Sequence, residues 1–183
     1  MRAALLAATA AAFLAVVPAA TASGGPSPWA SYVAPVAACP GSDQVWASAE
    51  AQERAMMCLV NWTRNHIGLR RLRWSGLLAN AAGSKADVIA ACGDFSHHPC
   101  GTRWPAQATR QRRYSIWGEN LFYGVRWISS PRAALLAWLE SPEHRAVLFA
   151  RPWTDLGVTV HIAPALGGNR RVAIWVLEVA GRA

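Results

Sequence analysis

The sequence predicts an α+β fold: a three-layer α-β-α sandwich with a small antiparallel sheet between helices. Three observations carry this. The front half is patterned for helices, with apolar residues recurring at spacings of three and four from Met56 to Ile67 and again from Leu78 to Cys92. The end of the chain holds two strand-like segments, DLGVTVHI from Asp155 and VAIWVLEV from Val172, joined by APALGGN as a hairpin. The second of these is apolar on both sides, so it needs cover on both sides. Helices packed on each face of one sheet supply that cover most economically.

The elements follow in chain order. A length of 183 residues suggests one domain. The opening MRAALLAATAAAFLAVVPAATA has one Arg, then an apolar run broken by Pro18, then the small-residue pattern Ala20-Thr21-Ala22. That reads as a signal peptide over 1–22, cut after Ala22; the alternative is a membrane anchor. No later uncharged apolar run approaches the roughly 18 residues of a membrane span. Residues 23–45 are rich in Pro, Gly, Ser and Ala without helical period, and read as an extended arm tethered at Cys39. The folded domain is expected over 46–183.

A first helix is expected from Asp43 to His66, with Met56, Leu59, Val60, Thr63 and Ile67 inward, Ser42 or Asp43 as cap and Gly68 as stop. LRRLRW is a connector. Ser75 caps a second helix running to about Ala91, whose inner face is Leu78, Ala81, Ala82, Lys85, Ile89 and Cys92, and Gly93 ends it. Lys85 lies on that face, so its stem is buried and its ammonium seeks water or a carboxylate. A short helix is assigned around residues 103–112. YSIWGENLFYGV is mixed in character and receives no element. Pro131 starts the helix PRAALLAWLES, as proline favours the first helical position. Pro142 ends it, and EHRAVLF forms one further turn. In DLGVTVHI, Leu156, Val158, Val160 and Ile162 share one face, and Thr159 and His161 the other.

The formal charge is +8, with Lys85 the only lysine among 18 Lys and Arg. A basic surface suits nucleic acid or an anionic envelope. The arginines are scattered, however, with RQRR at Arg110–Arg113 the one dense cluster, and no basic helix or recognition motif accompanies them. Nucleic-acid binding is therefore not expected.

The four cysteines, Cys39, Cys58, Cys92 and Cys100, are even in number and follow an export signal, which favours disulfides over thiolate zinc ligands. Three connectivities exist and sequence alone does not choose among them. The natural expectation joins neighbours: Cys92 with Cys100 around Phe95-Ser96-His97-His98-Pro99, and Cys39 with Cys58, stapling the arm to the first helix. A Cys₂His₂ zinc site inside CGDFSHHPC would crowd ligands that known sites separate by about a dozen residues.

Polar groups concentrate in Phe95-Ser96-His97, Gly118-Glu119-Asn120-Leu121 and Ser141-Pro142-Glu143-His144-Arg145. Two neutral imidazoles converging on a cleft make a divalent-metal site, with zinc the usual occupant. A nearby carboxylate ligates the ion, orients an imidazole or activates a bound water. The plainer reading is a solvated histidine before proline and a glutamate that caps a turn or pairs with an arginine.

Taken in order, FSH, GENL and AWLESPEHR resemble the CAP superfamily, also called SCP: cysteine-rich secretory proteins, antigen 5 and plant pathogenesis-related proteins. CLVNWTRNHIGLRRLRWSGLLANAA resembles the opening two helices of its compact bacterial branch. The resemblance spans about residues 53–180. It implies an α-β-α sandwich with a broad open cleft lined by two His–Glu pairs. It places the first histidine at His97, the first glutamate at Glu119 and the second histidine at His144. The second glutamate has no exact match. Eukaryotic members carry it three residues after a helix Trp, which here is Ser141, with acids at Glu140 and Glu143 instead. The bacterial G-H-R-x-N is also altered, to Glu143 at its first position and Val147 at its last. His98 receives no family role and is taken as solvated or at the rim.

Three functions compete. The first is a secreted or cell-envelope CAP module, monomeric, whose cleft binds zinc or another divalent cation, a lipid or another extracellular component. The second is a metal-dependent hydrolase with Glu119 as general base to a zinc-bound water. Neither HExxH nor G-x-S-x-G occurs in the chain, so a non-enzymatic role is favoured. The third is a structural or interaction domain of the envelope with an unused cleft. The ten tryptophans suit an apolar binding wall, though Trp138 and Trp175 fall on elements expected to be buried.

Overall fold

The computed structural model describes residues 27–102 and 114–181. The leader assigned to 1–22, the helix around 103–112 and the RQRR cluster lie outside the described residues. Among these residues four strands form one sheet in the order β1-β3-β4-β2. They are β1 (Arg73–Trp74), β2 (Ile116–Gly124), β3 (Asp155–Leu166) and β4 (Asn169–Gly181). β3 and β4 form the long antiparallel hairpin, β2 runs antiparallel along β4 as an edge strand, and β1 pairs parallel to β3. Among the described residues four α-helices flank the sheet: α1 (Ala49–His66), α2 (Gly76–Cys92), α3 (Pro131–Glu140) and α4 (Pro142–Phe149).

Alternation along the strands sorts the core into two layers. Leu156, Val158 and Val160 of β3 and Trp175, Leu177 and Val179 of β4 pack with Met56, Leu59, Leu135, Trp138 and Leu148 of α1, α3 and α4. The opposite faces of β2 and β4 present Leu121, Val172, Ile174 and Val176 to Ala82, Ala86 and Ile89 of α2. The molecule is thus the α-β-α sandwich that β4, apolar on both sides, required. Gly157 sets the approach of α2: a Cβ there would lie 2.1 Å from the Ala79 nitrogen.

Four local expectations change. α1 begins at Ala49, capped by Ser48, whose hydroxyl accepts from the Ala51 N–H. Ser42 is buried instead, and its carbonyl accepts from the Arg132 N–H at the start of α3. The stretch 27–48 is not an extended arm. It forms a 3-10 turn at Ala30–Tyr32 and further turns, with Val33, Ala34 and Cys39 in the core. Thr63 and Arg132 donate side-chain hydrogen bonds to the carbonyls of Tyr32 and Ala34. YSIWGENLFYGV, given no element from sequence, contributes β2. Cys92 is exposed, outside the inner face of α2, where it joins Cys100; Cys39 joins Cys58. Among the described residues no helix is long and apolar enough to cross a membrane.

Candidate functional site

The loop after α2 is closed by Cys92–Cys100 and by the Cys100 N–H donating to Asp94 (2.9 Å). It brings His97 over the middle of β2. There Glu119, on the face toward α2, meets His97 with Nδ1 2.5 Å from Oε1. The Glu119 side chain is 6% exposed and that of His97 57%. Lys85 rises from α2 beneath them. Its Nζ lies 3.2 Å from the second Glu119 oxygen and donates to the His97 carbonyl (2.5 Å). One buried ammonium therefore balances the carboxylate and fixes the loop.

A carboxylate oxygen facing Nδ1 accepts that nitrogen's N–H. With the hydrogen on Nδ1, Nε2 carries the lone pair whenever the ring is uncharged.

His144 stands in the first turn of α4. Its carbonyl accepts from Asn120 Nδ2 (3.0 Å), so consecutive residues of β2, Glu119 and Asn120, address the helix layers on the two sides. β2 is an edge strand, with His97 beside Glu119 on one side of it and His144 beside Asn120 on the other. Burial first, and then the nearby His97 charge, hold the His144 imidazole below the usual histidine range, while Glu143 opposes this. His144 is therefore neutral at pH 7. Its Nδ1 is buried and has no hydrogen-bond partner among the described residues.

Glu140 and Glu143 do not join this group. Glu140 ends α3 on an exposed face. Glu143 turns back to its own helix start, accepting from the Ser141 hydroxyl (2.9 Å). Its own backbone N–H and that hydroxyl hold its carboxyl below the usual range. His98 sits at the rim, with Nδ1 3.2 Å from the Thr102 carbonyl.

Two residues of the site had no assigned part in it from sequence. The sequence marks Lys85 as a buried stem seeking a partner, and the partner is Glu119. Glu178 lies in a stretch that the sequence marks only as an apolar strand. It is fully buried and directly opposite Glu119 in the β2–β4 register, so both carboxylates face α2. The available signal was an acid inside VAIWVLEV.

The donor set can be tested against a resident zinc. Among the described residues no group of three or more His, Cys, Asp or Glu is arranged to hold an ion. Both Glu119 oxygens are engaged, one by Lys85 and one by His97. A closed four-ligand centre does not fit these residues. What they offer is two imidazoles.

The sequence matches the Cysteine-rich secretory protein family (CAP) over residues 47–179. Solved structures with the same fold include an extracellular protein containing an SCP domain from Bacillus anthracis, at 21% identity and a TM-score of 0.62, covering 73% of this chain and 41% of that one. An outer surface protein from Borrelia burgdorferi matches at 19% identity and TM-score 0.61, covering 75% of this chain and 97% of its own. A cysteine-rich secretory protein from Staphylococcus aureus matches at 17% and 0.55, covering 75% and 41%. The chain thus spans about two fifths of the Bacillus and Staphylococcus proteins. No curated protein matches the sequence. With the family match covering most of the chain and the sandwich shared with these bacterial structures, this chain belongs to the CAP, or cysteine-rich secretory protein, family.

Proposed function

We propose that this chain is a secreted binding module of the extracellular space or envelope, and that it takes a divalent transition-metal cation, zinc foremost, in an exchangeable manner through His97 and His144. The observation that carries the reading is the 2.5 Å contact between His97 Nδ1 and Glu119. A metal-ligating histidine characteristically gives its other N–H to a carboxylate, which fixes the tautomer and raises the basicity of the free nitrogen. Borderline imidazole nitrogens suit zinc and its neighbours. A bound zinc supplies Lewis acidity and coordination positions left to water or to a donor from another molecule. Glu119 holds His97 in place, Lys85 pairs with Glu119, and burial keeps His144 uncharged. Export is supported by the apolar leader and the two disulfides.

The hydrolase reading is less favoured. A general base must be free to take a proton from water, whereas Glu119 is nearly buried and committed to Lys85 and His97.

Calorimetric titration of metal-stripped mature protein with zinc tests the proposal. One ion per chain is expected, with the binding heat lost in both His97→Ala and His144→Ala. No heat with the unmodified protein, or heat unchanged in either variant, refutes it and leaves the interaction-module reading.

A further inference from the structure

A groove lies away from His97 and His144, at the hairpin end of the sheet. It has a volume of about 480 Å³ and is framed by Trp46 before α1, Arg126 after β2, Ile162 of β3, and Arg170 and Arg171 of β4. Three arginines line it, and no Asp or Glu does among the described residues. The arginine-bearing 3-10 turn Arg126–Ser129 also carries Trp127 and Ile128. Large apolar side chains stand out into solvent here: Trp46 is 72% exposed, Trp127 73%, Ile128 46% and Ile162 49%. Single exposed apolar residues are ordinary on a protein surface, whereas a concentration of them beside like-charged residues marks an interaction site.

Two further details set this end of the molecule apart. The Arg171 guanidinium lies 4.9 Å from the Trp46 ring centroid, so cation and indole are ordered together before any partner arrives. Arg126 and Arg171 both hold φ of 53°, a left-handed conformation that Gly or Asn would adopt at less cost. Strained backbone of this kind gathers at functional positions.

The chemistry selects the partner. Exposed indoles and aliphatic tips seek the boundary between headgroup and acyl chain, and adjacent arginines seek anionic headgroups. We propose that this end of the molecule docks on an anionic phospholipid surface. Trp46, Trp127 and Ile162 enter the interface, and Arg126, Arg170 and Arg171 pair with lipid phosphates. This docking is independent of the metal reading at His97 and His144.

Co-sedimentation of the mature protein with vesicles tests it, comparing phosphatidylcholine alone with phosphatidylcholine containing phosphatidylglycerol. Binding is expected only to the anionic vesicles and is expected to weaken with salt. The pair Trp46→Ala/Trp127→Ala and the pair Arg170→Gln/Arg171→Gln should each lower partitioning by about tenfold or more. His97→Ala should leave it unchanged. Tryptophan quenching by brominated lipid, lost in Trp46→Phe/Trp127→Phe, gives a readout that needs no destabilising change. Equal binding to both vesicle types, binding that survives either pair of substitutions, or capture by a soluble anionic polymer without vesicle binding would overturn the proposal.

Discussion

Arg64 offers the sharpest test of how this fold is held together. It sits in the last turn of α1, is 1% exposed, and has no carboxylate partner among the described residues. Its guanidinium donates instead to three carbonyls: Nη1 to Leu148 (2.7 Å) and Ala150 (3.0 Å) at the end of α4, and Nε to Arg70 (3.1 Å). Burial, and secondarily the Arg70 charge, lower its pKa to about 10, so it is still charged at neutral pH. In Arg64→Met an apolar stem remains, but the buried Leu148 carbonyl and the part-buried carbonyls of Ala150 and Arg70 lose a charged donor. Hydrogen bonds to charged groups contribute about 1.5–3 kcal/mol each. Against this, removing a buried charge recovers a desolvation penalty of several kcal/mol. Three charge-assisted bonds tie the end of α1 to two other chain segments, so their loss is expected to outweigh the recovered penalty, with a net loss of about 3 kcal/mol. Urea unfolding at pH 7 with the disulfides intact measures it as a lowered midpoint at unchanged slope. A variant within about 0.5 kcal/mol of the unmodified protein, or more stable than it, would show that desolvation dominates and would refute the reasoning.

Three other perturbations probe separate parts of the molecule. Lys85→Met leaves Glu119 buried without its ammonium and should cost about 3–5 kcal/mol; adding Glu119→Gln should recover part of that loss, and strict additivity in the double-mutant cycle would deny the coupling. Gly157→Ala drives a methyl into the α2 backbone at Ala79 and Leu78, with an expected loss of about 3 kcal/mol in thermal unfolding, whereas a neutral result would mean α2 shifts freely. By NMR in metal-free buffer, His144 should titrate below ordinary histidine, because burial opposes its charge and His97 repels it. His97→Ala removes that repulsion and should move the midpoint upward; an unmoved midpoint would place the two rings out of range of each other.

What could be read from the residues was what neighbours in the chain decide. The period of three and four marked α1, the Ser75 and Gly93 caps bounded α2, and Pro131 opened α3, because each acts within a few residues of its own position. The two-sided apolar run of β4 implied helices on both faces, and so the sandwich. The motifs FSH, GENL and SPEHR marked His97, Glu119 and His144 for attention through family resemblance.

What escaped was decided by partners distant in sequence. β2 is a strand because β4 lies beside it, paired from Ile116↔Gly181 to Gly124↔Ala173; its own composition, broken by Gly118, Glu119 and Asn120, carries no period. The turns before α1 are drawn into the core by Thr63 and Arg132, far along the chain, so a composition typical of a loose arm misleads. Periodicity placed Lys85 inward but could not supply Glu119, which is 34 positions away and reaches it only when β2 joins the sheet. Local chemistry settles helix phase and caps. Only the closing of the sheet sets buried charge against countercharge and exposed tryptophan beside arginine, since both depend on contacts that exist in no short segment of the chain.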